Sequence, residues 1–219
     1  MRAAAILVAA GRGERLGGHT PKALVPLAGR TLIARAAEAL LACPAVEAVQ
    51  PVLPAGVALP DDARSLGLLE PAPGGARRQD SVRAGLEALP AHYDLVAVHD
   101  AARPLVRPEA VARVLAAAEA RGAALLAVRV ADTLKRVRGG RVVETPPREE
   151  LWAAQTPQAF HRELLREALA KAESAGRTGT DCAALVEALG AEVAVVEGDR
   201  DNRKITHPED LAAAERELQ

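Results

Sequence analysis

Ala3-Ala4-Ala5-Ile6-Leu7-Val8 runs directly into Ala9-Ala10-Gly11-Arg12-Gly13-Glu14-Arg15-Leu16-Gly17-Gly18-His19-Thr20-Pro21-Lys22, and the reading of the whole chain hangs on this junction. A short continuous apolar run bounded by glycines is the pattern of a central parallel strand covered on both faces. The glycines let the backbone turn sharply and expose its N–H groups, which attract anions. Arg12, Arg15 and Lys22, against the single acid Glu14, add charge-assisted donors suited to several phosphate oxygens.

Two other phosphate loops do not fit. The dinucleotide fingerprint Gly-x-Gly-x-x-Gly runs straight into a helix, but here Leu16 holds the third glycine's place and Pro21 interrupts any early helix. The P-loop ends in Gly-Lys-Ser/Thr, whereas Gly18 is followed by His19 and Lys22 follows a proline.

The 219 residues suit one domain, 1–219, long enough to bury most of its surface. A net charge of −1 gives no overall pull toward nucleic acid or membrane, so the basic residues near the amino end act locally. Phe160, Tyr93 and Trp152 are the only aromatics, which leaves no stacking platform for single-stranded nucleic acid and a core of Ala, Leu and Val. The apolar residues after Met1-Arg2 are too few for a secretory signal, and no later run approaches the ~18 that span a bilayer. The expectation is a cytoplasmic protein with Cys43 and Cys182 as reduced thiols lacking metal-ligand spacing. Only four lysines occur, Lys22, Lys135, Lys171 and Lys204, among many arginines; a lysine kept against that drift points to a site where ammonium and guanidinium are not interchangeable.

Beyond the first loop, strand and helix alternate. Thr31 can cap a helix carrying Leu32, Ile33, Ala36, Ala37, Leu40 and Leu41; strands are expected at 46–53 and 66–69, with a loop or ragged helix over 54–63. A Gly-rich loop from Pro71 enters a helix that ends near Leu89, with Asp80 or Ser81 as its cap. The strand at 94–98 leads to His99-Asp100-Ala101-Ala102-Arg103-Pro104, and ligands of open α/β sheets bind beyond such carboxyl ends, which marks Asp100 and Arg103. A helix at 109–121 and a strand at 123–128 follow. Residues 133–145, with Gly139-Gly140 at their centre, then read as a hairpin that is marginal alone and needs another subunit to pack against. The chain returns through 152–158 to helices at 162–175 and 181–189, with a cap offered by 178–181, then a strand at 192–196 and a last helix after Pro208. The alternation implies a doubly wound, mostly parallel α/β sheet with a protruding hairpin arm.

Six motifs in order, Gly-x-Gly-x-Arg15-Leu with Pro21-Lys22, Gly74-Gly75-x-x-Arg78-x-x-Ser81-Val82, His99 to Pro104, Asp132-Thr133-x-Lys135, Thr156-Pro157-Gln158 and Asp201-Asn202-x-Lys204-x-Thr206, make the chain resemble the 2-C-methyl-D-erythritol 4-phosphate cytidylyltransferases. The resemblance implies a Rossmann-like nucleotidyltransferase fold and the coupling of CTP to methylerythritol phosphate, with release of pyrophosphate, in the non-mevalonate isoprenoid pathway. It assigns Arg15 and Lys22 to the triphosphate and the charge that builds on the α-phosphoryl group. Ala9, Ala10, Gly11 and Gly13 would meet the nucleotide, Gly75, Ala76 and Ser81 the cytosine, and Asp100 with Ala101 the ribose or metal side. Arg103, Thr133, Arg148, Thr156, Thr180 and Lys204 would hold the acceptor, with Arg148 and Lys204 counted, like Arg15 and Lys22, among the catalytic residues. Mg²⁺ would bridge the phosphates, because no cluster of protein carboxylates suffices for a metal cage. Residues 133–150 would form the arm of a homodimer and supply Arg148 to the partner's site. Cys182 and Ala76 stand where many relatives carry acidic residues, and Ala76 leaves base readout to the backbone. Two other readings share these residues. A ribitol 5-phosphate cytidylyltransferase differs in the acceptor pocket of Arg148, Thr156 and Lys204, and a non-enzymatic nucleotide-binding regulator would not need both Arg15 and Lys22.

Overall fold

A computed structural model describes residues 1–11 and 20–218. The expected first strand, β1 (Ala3–Val8), is buried on both faces. Ala3, Ala5 and Leu7 point to one face and Ala4 and Ile6 to the other, the alternation of a strand at the centre of a sheet. A small antiparallel pair, β2 (Pro26–Leu27) and β3 (Arg30–Thr31), precedes α1 (Leu32–Leu41). Thr31 caps α1 as expected, accepting from the Ala34 N–H at 3.3 Å, while Asp62 holds the Thr31 N–H at 2.7 Å.

Next come β4 (Val46–Leu53) and the one-turn helix α2 (Asp61–Arg64). The third strand is displaced from its expected position: residues 66–69 form no strand, and β5 is the pair Ala72–Pro73 at the sheet edge. Leu66 and Leu68 pack as side chains against the core instead. The helix α3 (Arg78–Ala88) has Arg77 as its N-cap, so neither Asp80 nor Ser81 occupies the cap position. Asp80, three residues into the helix, accepts from the Arg77 N–H at 3.0 Å, which satisfies an end donor from the inside.

The strand β6 (Leu95–Asp100) runs two residues beyond the expected end and carries Asp100 as its last residue. The helix α4 (Pro108–Arg121) and β7 (Ala123–Arg129) follow. The arm consists of β8 (Arg136–Arg138) and β9 (Arg141–Glu144). Gly139 and Gly140 both hold positive φ, 53° and 73°, as a two-residue hairpin turn requires.

A strand that sequence reading did not anticipate, β10 (Trp152–His161), returns the chain and inserts antiparallel between β6 and β7. The helices α5 (Arg162–Ser174) and α6 (Cys182–Glu187), the edge strand β11 (Ala194–Glu197) and α7 (Pro208–Glu217) complete the order. Asp181, accepting from the Ala184 N–H at 2.8 Å, is the cap of α6, and Thr180 is not. Among the described residues the main sheet has seven strands in the order β11-β7-β10-β6-β1-β4-β5, parallel except at β10. The helices α1 and α4 cover one face, α3, α5 and α6 the other. The chain leaves β1 toward β4 on one side and later fills β6 on the other, so a crevice opens beyond the carboxyl ends of β1 and β6. No helix among the described residues is long and apolar enough to cross a membrane.

Candidate active site

A cleft of about 690 Å³ lies in that crevice. Its walls include the backbone of Ala9, Ala10 and Gly11 after β1, Lys22, residues Gly75, Ala76 and Ser81 from the entry to α3, Asp100 and Ala101 from the end of β6, and Lys204. Gly74 and Gly75 are required there by close approach. A Cβ on Gly74 would lie 2.3 Å from the Ala10 Cβ, and one on Gly75 would lie 2.4 Å from the Asp80 Cβ. The Gly75 N–H donates to Ser81 Oγ at 3.1 Å, which ties the loop to the first turn of α3.

Asp100 is the electrostatic centre of the cleft. Its Oδ1 accepts from Arg78 Nη2 at 2.9 Å and Nε at 3.1 Å, while Oδ2 accepts from Lys204 Nζ at 2.7 Å. Burial alone pushes the carboxyl upward, but Arg78 and then Lys204 outweigh it and hold Asp100 well below the usual carboxylate range. Arg78 mirrors this: burial pulls it down, and Asp100 more than restores the guanidinium. The second partner of Arg78 is the Cys182 Sγ at 3.4 Å, a thiol that burial pushes up. Arg78 belongs to a motif quoted from the sequence but received no role there, because its partner Asp100 lies 22 residues on, at the end of β6.

Behind the cleft a relay of side chains fixes the end of β6. His99 is fully buried, and burial lowers its pKa to about 4, so the ring is neutral at pH 7. The Arg103 carbonyl, 3.0 Å from Nε2, can only accept, which puts the proton on Nε2. Nδ1 then accepts from the Thr156 hydroxyl at 3.1 Å, and the same oxygen accepts the Asp100 N–H at 3.1 Å. Thr156 itself sits where three residues of β10, Gln155 to Pro157, oppose the single Leu126 of β7, between the pairs Ala154–Ala127 and Gln158–Leu125. That excursion also carries Gln155, which donates to the Asp199 carbonyl at 2.8 Å and accepts from Asn202 Nδ2 at 3.2 Å. Asn202 donates to the Thr156 carbonyl at 2.9 Å, and its own backbone carbonyl accepts from Arg103 Nη1 at 2.6 Å. The buried Asn202 thus anchors the segment that delivers Lys204.

The cleft therefore gathers Ala9, Ala10, Gly11, Lys22, Gly75, Ala76, Ser81, Asp100, Ala101 and Lys204. Arg103 and Thr156 stand one layer behind it, engaged with the relay. Thr133 and Arg148 lie exposed at the base of the arm, where Arg148 Nη1 donates to the Ala131 carbonyl at 2.9 Å, and Thr180 is exposed ahead of α6. Gly13 and Arg15 lie outside the described residues. Among the described residues no group of three or more His, Cys, Asp or Glu is placed to hold a metal ion. Among those described on the cleft wall, Asp100 alone carries a carboxylate.

Comparison with known proteins agrees with this geometry. The family described as 2-C-methyl-D-erythritol 4-phosphate cytidylyltransferase matches residues 3–219. The 2-C-methyl-D-erythritol 4-phosphate cytidylyltransferase of Deinococcus radiodurans is 48% identical over 214 residues, covering 98% of this chain and 88% of that protein. A bifunctional enzyme IspD/IspF of Nitrobacter winogradskyi is 49% identical over 227 residues; this chain spans 56% of its length. The crystal structure of the 2-C-methyl-D-erythritol 4-phosphate cytidylyltransferase from Thermus thermophilus superposes with a TM-score of 0.84 at 41% identity, covering 99% of this chain and 98% of that one. With a family match spanning the cleft, the relay and the arm alike, the chain belongs to the 2-C-methyl-D-erythritol 4-phosphate cytidylyltransferase family.

Proposed function

We propose that the protein transfers a cytidylyl group from CTP to 2-C-methyl-D-erythritol 4-phosphate, releasing pyrophosphate. The observation that carries this reading is the cleft at the ends of β1 and β6, where exposed backbone, Lys22 and the Asp100–Lys204 pair converge on one volume. Nucleotidyl transfer asks little covalent chemistry of a protein; it is driven by positioning and by stabilising charge on the phosphoryl group. Lys22, with Arg15, meets the developing charge at the α-phosphate. The acceptor phosphate is already an anion and needs orientation rather than a general base, which is the part of Lys204, Arg103, Thr133, Thr156 and Thr180.

The edge of the cytosine is read at Gly75, Ala76 and Ser81, and Ala9, Ala10, Gly11 and Gly13 approach the nucleotide through the backbone. Asp100 and Ala101 would face the ribose or metal side, and Mg²⁺ bound with CTP would neutralise triphosphate charge.

The arm completes a homodimer. Its Leu134, Val137, Val142 and Val143 are all more than 40% exposed, and a two-stranded sheet this small is marginal without a partner. Arg148, at its base, serves the partner's cleft.

Pyrophosphate release with Mg²⁺ and CTP tests the reading. Methylerythritol phosphate is expected to be the acceptor and ribitol 5-phosphate a poor one, and UTP or ATP to fall behind CTP by several powers of ten in kcat/KM, since mismatched polar edges leave buried groups unpaired. Equal turnover with ribitol 5-phosphate removes the acceptor assignment; equal turnover with UTP removes the base assignment.

A further inference from the structure

Three consecutive residues at the start of α3 reach across to one segment, 177–182, that leads from α5 into the first residue of α6. Arg77 Nη1 donates to Thr178 Oγ1 at 3.4 Å, and Arg78 Nη1 donates to the Cys182 Sγ at 3.4 Å. Gln79 does more. Its Nε2 donates to the Arg177 carbonyl at 3.0 Å, and its Oε1 accepts the Gly179 N–H at 3.1 Å. The side-chain amide thus pairs with the segment as a strand neighbour would, and Gln79 is only 7% exposed.

The rest of the segment is thinly held. Arg177 N–H donates back to Ala172 and Asp181 accepts from Gln158 Nε2 at 2.7 Å, so both ends are anchored. Between them, Thr178 Oγ1 accepts from Arg77 and the Gly179 N–H donates to Gln79. Arg77 is the weaker tie, since its side chain is 40% exposed and already paired with Asp80. Immediately before this turn stand Gly75 and Ala76, and two residues after Gln79 stands Ser81, all on the cleft wall.

We infer that Gln79 is a positioning residue that couples the nucleotide wall of the cleft to the segment carrying Thr180. A nucleotide that orders 74–82 orders 177–181 through this amide, so the second substrate meets a segment set by the first. The inference rests on the proposed reading of the cleft as a CTP site, and it adds a residue and a direction of coupling to it.

Hydrogen–deuterium exchange of the whole protein, with and without CTP and Mg²⁺, tests it. In the wild-type chain, CTP is expected to slow exchange in peptides covering 74–82 and also in 177–181. In Gln79→Leu the slowing at 74–82 persists while that at 177–181 disappears, a loss of about two- to tenfold, as one exchanged hydrogen bond provides. In turnover the same variant raises KM for the acceptor and leaves KM for CTP unchanged, a split that general loosening does not produce. Gln79→Glu keeps the acceptor for the Gly179 N–H and loses the donor to Arg177, so it retains part of the transmitted slowing; it also carries the test if Gln79→Leu fails to fold. Undiminished slowing at 177–181 in the variants that fold, or its loss at both places together, overturns the coupling. No slowing at 74–82 in the wild-type protein removes the nucleotide reading itself, and this inference with it.

Discussion

The floor of the cleft and the hairpin arm are built on opposite terms. Asp100 is surrounded: two cations on its carboxylate, Thr156 on its amide, His99 and Arg103 behind that. Val142, at the other extreme, is 60% exposed, and its cross-strand neighbour Val137 is 53% exposed. The ion pair of Arg136 with Glu144 and the bond from Lys135 to Thr145 hold the arm's two strands to each other and contribute little in solvent. One region ties its charged carboxylate to partners within the chain; the other leaves apolar side chains exposed. A substitution in the floor is therefore expected to act on the fold and the chemistry of its own chain, whereas, on the proposed dimer, a substitution in the arm is expected to act on the assembly.

The largest effect is expected at Asp100. Asp100→Asn leaves Arg78 and Lys204 facing an amide, and removing one partner of a buried ion pair costs about 3–5 kcal/mol. The sign of the pH dependence follows from the depressed pKa of this carboxyl. Its contribution is fully present above the unfolded carboxylate value of about 3.9 and is lost as pH falls through the folded value. Urea unfolding should show a constant gap between wild type and Asp100→Asn from pH 5 to 8, narrowing by about 1 kcal/mol at pH 3. A gap that is unchanged at pH 3 means that the ion pair does not carry it.

Lys22 comes next. Lys22→Ala should lower kcat by roughly 10²–10³ if the ammonium meets charge that develops only in the transition state. Folding should be unaffected. An unchanged kcat with a raised KM for CTP means that Lys22 binds the ground state alone.

These two positions also mark how far sequence alone reaches. The strands β1, β4, β6 and β7 are legible because they are continuous apolar runs, and α1 and α4 because apolar spacing, caps and Gly122 agree. β10 is not, although it lies mid-sheet. Its sequence places the run Gln155-Thr156-Pro157-Gln158 between apolar residues, and their polar groups are buried only because distant partners, Asp199, Asn202, His99 and Asp181, satisfy them. A hydropathy pattern cannot show a partner that lies tens of residues away. The same reason hides the work of Arg78, whose acceptor is 22 residues ahead, and of Gln79, whose partners are about 100 ahead. Asp100, Lys22 and Lys204 are legible because a charge or a scarce lysine at the end of an apolar strand or in a loop stands out locally. The strand expected at 66–69 shows the converse error, where leucines that serve the core as side chains look like a strand.

The arm decides the comparison, because its assignment to the partner's cleft separates a site made by two chains from one made by a single chain. Arg148→Ala and Lys22→Ala chains, each expected to be inactive, should be refolded together in equal amounts and assayed for pyrophosphate release. If Arg148 acts across a two-fold dimer, each mixed dimer has one site with both defects and one with neither. About half the dimers are mixed under random pairing, so roughly a quarter of wild-type activity should return. If activity stays at the level of the separate variants while mass measurements confirm the mixed dimers, Arg148 acts within its own chain, and the two-chain site is contradicted.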